Sequence, residues 1–340
     1  MRNCNFVCAI TLVALLAGGA GVAAAQTFED VGVRAQGMSG AFVAVADDAT
    51  ASWWNPAGLA TGTYLSAVVE RGRTTEPVNP TSSGPAIRAN VRDFAVAFPA
   101  LGLSYYRLRI SEIAGPGSTA AWVAGRQDPR VSGTSVRSAA VGQFGTTVGQ
   151  SLGDHLVVGS TLKLLFAGAV STVTTDENGL GVADDLETER HVKVDLDLGA
   201  MATFGHVRAG LTLKNLTEPT FGSGADALTL ARQVRAGLAV KSAPQGALQG
   251  WTVAADADLT TRTTVMGRVR HAAAGVEGWL VQGRLGVRAG VSGNTVDELR
   301  PSASAGVSYA VTRAFHVNVS RTQGRDESVR GWSSSVSVAF

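Results

Sequence analysis

The sequence contains little cysteine and little charge. Both cysteines, Cys4 and Cys8, lie among the first ten of the 340 residues, so a chain that begins after them has neither a disulfide bond nor a cysteine-ligated metal. Charged residues make up 16% of the chain, and 29 basic residues nearly balance 27 acidic ones. The basic residues are scattered, with no arginine-rich run, so we expect no nucleic-acid partner.

A hydrophobic run long enough to form a membrane-spanning helix is also missing. The apolar stretch from Phe6 to Leu16 is too short for that purpose. It follows the basic start Met1-Arg2 and precedes the small residues Ala23 to Ala25, which is the pattern of a secretory signal peptide. We therefore predict a cleaved signal peptide over residues 1–25. Any membrane crossing by the remaining chain must use strands.

Glycine and alternating apolar residues dominate the rest of the sequence. Glycine contributes 41 residues, and from Tyr64 onward apolar residues recur at every second position, as in 192–200. This period predicts strands with one apolar and one polar face. We predict fourteen strands, at about 63–71, 92–98, 101–111, 135–150, 155–172, 190–204, 207–216, 232–241, 250–259, 265–278, 281–292, 301–309, 314–321 and 331–340.

The predicted connections alternate in length. Even-numbered connections are mostly short, such as Pro99-Ala100, whereas odd-numbered ones in the first half are longer, such as 112–134. An even number of strands joined in this way is typical of an outer-membrane barrel with short periplasmic turns. The predicted fold class is therefore all-β, a transmembrane antiparallel β-barrel of about 14 strands over residues 63–340. A soluble periplasmic sandwich is the alternative, but its polar face would carry more Lys and Glu than these strands do.

Aromatic residues support the predicted orientation of the strands. We expect those at the short-turn ends to form a girdle at the membrane interface. They are Tyr64, Phe98, Phe204, Trp251, Trp279, Tyr309, Phe315 and Phe340. A terminal Phe on an alternating strand is also the pattern recognised by outer-membrane assembly machinery, so we predict that Phe340 is an assembly signal.

Residues 26–62 precede the predicted strands and do not alternate. Eight strands enclose a lumen that side chains can fill, whereas sixteen to eighteen leave an aqueous channel. Fourteen strands would leave a wide lumen, so we predict that this segment fills it as a plug, with a periplasmic linker as the alternative. Asn55 before Pro56 suits a helix start, and Arg34 can pair with Asp47 or Asp48.

The same segment carries a recognisable motif. Its pattern is Arg34-Ala35-x-Gly37-Met38-x-Gly40-Ala41, then Ala46-Asp47-Asp48-Ala49, then Trp54-Asn55-Pro56-Ala57-Gly58-Leu59-Ala60. This resembles the N-terminal signature of the FadL-like (FadL/TodX) outer-membrane proteins, and is closest to the PorV/PorQ-like branch. The resemblance covers about 30 residues, with Ser39 in place of a usual glycine.

The resemblance carries expectations about both fold and function. It implies a fourteen-stranded barrel whose N-terminal segment folds into the lumen. It further implies passage of long-chain fatty acids or aromatic hydrocarbons, or, for PorV-like members, service to a type IX secretion system. The plug-motif residues are Arg34, Gly37, Met38, Gly40, Asp47, Asp48, Trp54, Asn55 and Pro56.

Charged residues on the polar strand faces are expected to line the lumen. Opposite charges on adjacent strands stabilise a sheet by about 0.2–1 kcal/mol each. A wall that grips the plug and simple lumen polarity are both consistent with such charges. The predicted lumen charges are Lys193, Asp195, Asp197, Arg208, Arg235, Asp256, Asp258, Arg268, Arg284 and Arg288.

Catalytic and metal-binding motifs are missing from the sequence. The five histidines do not have metal-ligand spacing, and no phosphate loop or nucleophile elbow occurs. We therefore expect no enzymatic activity, no cofactor and no bound metal. The acidic loop 173–189 is either a solvated loop or a calcium site.

These observations predict passive uptake of hydrophobic or amphipathic small molecules through a barrel in the outer membrane of a Gram-negative-type cell. The alternative is a PorV-like anchor or docking component of a type IX-like secretion system. The expected partners are outer-membrane lipid, the barrel assembly machinery and either a hydrophobic ligand or a secretion partner. We expect the protein to be a monomer.

Overall fold

A computed structural model shows one closed barrel of antiparallel strands. It describes residues 31–77, 84–114, 133–243, 250–325 and 328–340, so the predicted signal peptide and residues 26–30 lie outside the described residues. The fourteen barrel strands are β1 (Ser66–Glu76), β2 (Ala86–Phe98), β3 (Leu101–Ala114), β4 (Thr134–Leu152), β5 (Leu156–Thr174), β6 (His191–Phe204), β7 (Val207–Lys214), β8 (Gln233–Lys241), β9 (Trp251–Asp258), β10 (His271–Leu280), β11 (Leu285–Asn294), β12 (Ser302–Ala310), β13 (Phe315–Gly324) and β14 (Arg330–Ala339).

Each strand pairs with its neighbours in the chain, and β1 closes the barrel on β14. Ser66 lies opposite Ala339, and the register continues to Thr75 opposite Arg330. The predicted fold class, an all-β antiparallel barrel of fourteen strands, is confirmed. A closed barrel has no free strand edge, so every strand finds hydrogen-bond partners on both sides.

The apolar face of the barrel points outward. On β6 the side chains of Val192 and Val194 are 57% and 59% exposed, whereas Asp195 and Asp197 are only 2% and 1% exposed. A soluble sandwich would bury its apolar face and expose its polar one, so the sandwich alternative is wrong. The period of two is the consequence of a wall with an apolar outside and a polar inside.

The connections define two ends of the barrel. Between β2 and β3, and between β6 and β7, only two residues separate the strands. We call this the short-turn end. It also holds the end of the chain, where Phe340 N–H donates to the Leu65 carbonyl oxygen at 2.9 Å. The opposite, long-loop end carries connections such as 175–190 and 215–232.

The aromatic girdle is present at the short-turn end with one correction. Tyr64, Phe204 and Phe340 are exposed there. Trp279 does not face outward as the girdle requires. It lies on the same face of β10 as the buried Glu277, and its ring is 5.6 Å from the Arg288 guanidinium.

Two strand predictions are wrong in their boundaries. The strand predicted at 92–98 begins at Ala86, because its outward positions beyond Arg92 are polar and hide the alternation. Of the strand predicted at 265–278, only the part from His271 onward belongs to a barrel strand, β10. Arg262–Thr264 and Gly267–Val269 form a separate small hairpin.

Two long loops fold back onto the barrel wall. Helix α3 (Gly179–Asp185) covers the outer face near the long-loop end, where Leu180 packs with Ile113 and Val136. The 215–232 connection instead turns inward, and its Phe221 is buried with wall residues. No helix among the described residues is long and apolar enough to cross a membrane.

The described part of the segment before β1, residues 31–62, packs against inward-facing wall residues. We call it the N-terminal segment. It contains α1 (Val33–Gly37), α2 (Ala51–Trp54) and a 3₁₀ helix (Pro56–Thr61). α1 packs mainly on β12 and β13, and the 3₁₀ helix packs on β4, β5 and β6. These strands lie on different sides of the barrel, so the segment crosses the lumen.

Glycines on the wall allow this close approach. A Cβ added at Gly159 on β5 would lie 2.4 Å from the Pro56 carbonyl carbon. A Cβ at Gly290 on β11 would lie equally close to the Met38 carbonyl carbon, at 2.4 Å. Backbone meets backbone at these points, which explains part of the high glycine content.

Candidate functional site

Arg34 connects the N-terminal segment to the barrel wall. Its guanidinium donates to Asp47 at 2.6 Å and to Asp48 at 3.0 Å, as the sequence predicts. The other side of the fork donates to both oxygens of Glu277 on β10, at 2.8 and 2.7 Å. Glu277 also accepts from Arg288 at 2.5 Å. One arginine therefore holds the segment together and fixes it to the wall.

Asp47 is held between two cations. Besides Arg34, Lys241 on β8 donates to it at 2.7 Å. Burial alone would raise the pKa of Asp47, but the charges of Arg34 and Lys241 outweigh that effect and lower the pKa from 3.8 to about 2. The carboxylate is therefore ionised throughout the neutral and mildly acidic range.

Two wall carboxylates bind the backbone of the segment. Glu70 on β1 accepts hydrogen bonds from the N–H groups of Gly32 and Val33, both at 2.7 Å. Asp256 on β9 accepts from the N–H groups of Phe42 and Val43, also at 2.7 Å. Both carboxylates lie on inward-facing strand positions and are almost fully buried. The wall thus satisfies backbone donors that the irregular segment cannot pair internally.

The motif residues Trp54, Asn55 and Pro56 organise the second half of the segment. Asn55 accepts from Ala57 N–H at 3.2 Å, which caps the 3₁₀ helix that Pro56 begins. Its amide donates to the Ala200 carbonyl on β6 at 3.1 Å. The Trp54 indole donates to the Val31 carbonyl at 3.0 Å. These motif residues therefore cap the 3₁₀ helix, bind the segment to β6 and connect its second half to its first half.

The motif residues Gly37, Met38 and Gly40 lie at the end of α1 and in the tight turn that follows it. Met38 is fully buried, and Gly40 has a φ of 87°, which favours glycine. Gly37 approaches the backbone of Gly306 on β12. In the same turn, the hydroxyls of Ser39 and Ser304 are 2.7 Å apart. This turn is therefore in direct contact with β12.

Most of the predicted lumen charges lie on the inward wall. Asp195 and Asp197 pair with Lys163 at 2.9 and 2.6 Å, and Arg235 pairs with Asp258 at 2.7 Å. Lys193 lies 5.9 Å from the ring centre of Phe221, and Arg208 shares the inward face of β7 with buried Thr212. Asp256 and Arg288 make the contacts described above.

Two of the predicted lumen charges are elsewhere. Arg268 lies in the 262–269 hairpin, where it pairs with Asp297 at 2.8 Å and its side chain is 64% exposed. Arg284 is exposed in the short turn between β10 and β11. Both were placed by extending the strand period beyond the ends of the strands.

Three buried inward residues that bind the N-terminal segment or pair with other wall charges are not among the predicted lumen charges. They are Lys163, Glu70 and Glu277, each of which is 3% exposed or less. The alternation already placed Lys163 on the polar face of its strand. Their partners lie on other strands or on the N-terminal segment, and only the register brings them together.

Two cavities lie on opposite sides of the N-terminal segment. The first, of about 200 Å³, opens toward the long-loop end and is bounded below by Gln36 and Ser39. Its apolar lining comes from Ile87, Ala89, Ile110, Met266, Val269 and Val329. We call it the upper cavity.

The second cavity, of about 360 Å³, lies at the short-turn end. Its lining is more polar than that of the upper cavity and includes the side chains of Arg34, Asp48 and His316. We call it the lower cavity. Arg34 lines the lower cavity and Gln36 and Ser39 line the upper one, so α1 and the turn after it lie between the two.

The sequence comparisons identify a family. Residues 78–258 match the profile described as the F plasmid transfer operon, TraF, protein. This match covers more than half of the chain. The chain belongs to this TraF family. No curated protein matches its sequence.

Solved structures show where else the fold of this TraF-family chain occurs. A channel titled the CymD monoaromatic hydrocarbon channel superposes with a TM-score of 0.60 at 14% identity, covering 93% of this chain and 99% of that one. The toluene transporter TbuX from Ralstonia pickettii gives 0.59 at 12% identity, covering 92% and 99%. A FadL homologue from Pseudomonas aeruginosa gives 0.57 at 10% identity, covering 92% and 98%. At such identities the likeness concerns the fold, which is of the FadL/TodX type.

Proposed function

We propose that the protein is an outer-membrane barrel that takes up small hydrophobic or amphipathic molecules. The observation that carries this proposal is the upper cavity. It has an apolar lining, opens toward the long-loop end and is closed below by the N-terminal segment. Burial of apolar ligand surface contributes about 25 cal/mol per Å² before ordering costs. The hydrocarbon channels and transporters of the same fold support this assignment.

The size of the upper cavity restricts the substrate. Its volume of about 200 Å³ is below the ~300–1,000 Å³ usual for drug-sized ligands. A monoaromatic molecule, or one part of a longer acyl chain, suits such a space. The lining also carries Arg262 and Arg300 beside Glu76 and Glu112, and Arg300 pairs with Glu76 at 2.8 Å, so these groups suit the hydrogen-bonding end of an amphipathic substrate.

Passage would use the N-terminal segment as a movable plug. The stretch around α1 lies between the upper and lower cavities, so a shift of this stretch would open a connection between them. Export with a cleaved signal peptide, insertion by barrel assembly machinery that recognises Phe340, and a monomeric state complete the proposal.

A cavity-filling substitution tests the site. Ala89→Phe places a ring in the upper cavity, whereas Ala305→Phe adds the same bulk on the exposed outer face of β12. In cells that carry the protein, we expect uptake of labelled oleate or of a labelled monoaromatic acid to fall with Ala89→Phe and to be unchanged with Ala305→Phe. Equal uptake with both variants would overturn the assignment of the cavity.

A second candidate is an anchoring or docking role in a secretion apparatus. The description of its own family names a plasmid transfer operon, which favours this role. Placement in the PorV/PorQ-like branch would agree with it. Wild-type uptake equal to that of cells without the protein, together with co-purification of a secretion component, would favour this candidate over transport.

A further inference from the structure

Three arginines form a row on the outer face of the barrel. Arg71 on β1, Arg92 on β2 and Arg107 on β3 are all exposed. Arg92 lies directly opposite Arg71 on one side and opposite Arg107 on the other. Residues directly opposite each other have Cβ atoms about 4.5–5.5 Å apart, so three positive charges lie within one short row. We call it the arginine row.

The row has no acidic partner in the described part of the chain. No carboxylate within residues 31–77, 84–114, 133–243, 250–325 and 328–340 forms an ion pair with Arg71, Arg92 or Arg107. The next outward arginines toward the long-loop end differ. Arg88 pairs with Asp184 of helix α3 at 2.8 Å, and Arg109 donates to the Asp184 carbonyl. Asp184 and Asp185 line the same surface cavity as the row but form no ion pair with its three arginines in the described part of the chain. Like charges directly opposite destabilise a sheet, so an anion from outside the chain that binds between these arginines would relieve their repulsion.

The row also interrupts the apolar outer face. On β3 the outward apolar residues extend only from Leu101 to Tyr105 before Arg107 follows. The six residue steps from Leu101 to Arg107, at about 3.3 Å each and tilted by ~40°, rise about 15 Å, against a usual apolar band of ~25 Å. On β6 the apolar outward positions continue from Phe204 to Val192. The apolar face is therefore shorter over β1 to β3, on the side nearer the long-loop end.

We propose that the arginine row binds the phosphate headgroup of a lipid in the leaflet at the long-loop end. A guanidinium fork donates two parallel hydrogen bonds to phosphate oxygens, so neighbouring arginines can share one phosphate. Long arginine side chains also reach from the apolar band toward the headgroup level. The acyl chains of the same lipid would contact exposed Phe94 and Tyr105 below the row.

The surroundings favour a lipid over a protein partner. The row lies on the barrel wall, in line with the apolar outer face and not on a loop tip. Exposed Trp332 on β14 lies directly opposite Arg73 on β1, next to the row. Aromatic rings of this kind are typical of the zone between headgroups and acyl chains.

Native mass spectrometry of the folded, full mature chain in detergent tests this proposal. The probes are phosphatidic acid and phosphatidylcholine with identical acyl chains. The phosphate is terminal in phosphatidic acid, whereas in phosphatidylcholine it carries a choline group. We expect the wild type to retain phosphatidic acid about tenfold more than phosphatidylcholine, since each arginine near a headgroup adds a substantial attraction. Arg92→Gln/Arg107→Gln should bring this ratio close to one. The matched double variant Arg284→Gln/Arg313→Gln, in exposed turns at the other end, should keep the wild-type ratio.

Several results would overturn the assignment. An equal ratio in the wild type would do so without any variant, so the test does not depend on the folding of the double mutant. An unchanged ratio in the folded Arg92→Gln/Arg107→Gln variant, with folding verified by heat-modifiable mobility, would also do so. Loss of lipid selectivity in the presence of inorganic phosphate at low concentration would indicate a simple ion site. Loss of a co-purifying protein without any change in the lipid ratio would indicate a protein interface.

Discussion

At the scale of single residues, buried charges in the lumen attach the N-terminal segment to the barrel wall. Arg34 joins Asp47 and Asp48 within the segment to Glu277 on the wall. A buried charge that loses its partner costs far more than an exposed one, because it remains out of water without compensation. The attachment of the segment therefore depends on a few carboxylates.

Removal of the Glu277 charge should loosen the segment. Glu277→Gln leaves Arg34 and Arg288 without the carboxylate that they share, at a local cost of order 3 kcal/mol. We expect the segment to become sensitive to protease while the barrel stays resistant. Asp297→Asn, which affects only the exposed pair with Arg268, serves as the control and should leave protection unchanged. Equal protection in both variants would contradict the anchoring role.

The attachment should also depend on pH in a defined window. The pKa of Asp47 in the folded protein is about 2, below its ordinary value of 3.8. A lowered pKa means that its ionised form stabilises the fold above pH ~4, and that this contribution is lost as the pH falls toward 2. We expect the fluorescence of Trp53 and Trp54 to change in that window, and the change to shrink in Asp47→Asn. A transition in that variant identical to the wild type would assign it to other groups.

At the scale of elements, the barrel strands and the N-terminal segment are determined by different features of the sequence. Each strand follows from the alternation of apolar and polar residues along it. The conformation of the segment depends instead on helix capping, tight turns and contacts with the wall. Inward glycines such as Gly159 and Gly290 admit its backbone to the wall. Strand pairing and the apolar outer face do not need the segment.

Deletion of residues 26–62 should therefore leave a barrel that assembles. A fourteen-stranded lumen is too wide for wall side chains to close, so we expect higher single-channel conductance in planar bilayers than for the wild type. Heat-modifiable mobility checks that the deletion variant is folded. Wild-type conductance in a folded deletion variant would show that the segment does not block the lumen.

The fourteen strands could be predicted from the sequence because lipid on one side and a polar lumen on the other impose a simple period. That period failed at Arg88 and Asn90, where polar residues face outward. It also misled at Arg268 and Arg284, which lie beyond strand ends. Cross-strand partners such as Lys163 with Asp195 depend on register, and a period of two carries no information about register.

At the scale of the whole molecule, the barrel encloses the N-terminal segment with one cavity on each side of it. The lining of the lower cavity is more polar than that of the upper cavity, and the stretch from Arg34 to Ser39 lies between them. A molecule that enters from the long-loop end reaches the lower cavity only if this stretch moves. We propose that the segment lies in the lumen and that its movement permits passage.

A reversible cross-link between the segment and the wall tests whether the segment has to move. The hydroxyls of Ser39 in the segment and Ser304 on β12 are 2.7 Å apart, and the chain after residue 25 has no cysteine of its own. Ser39→Cys/Ser304→Cys should therefore form a disulfide bond that fixes the segment to the wall. We predict that the oxidised protein loses uptake of labelled oleate, that reduction restores it, and that neither single variant responds to reductant. Failure of the disulfide to form in the folded barrel, or full uptake by the completely cross-linked protein, would contradict the account.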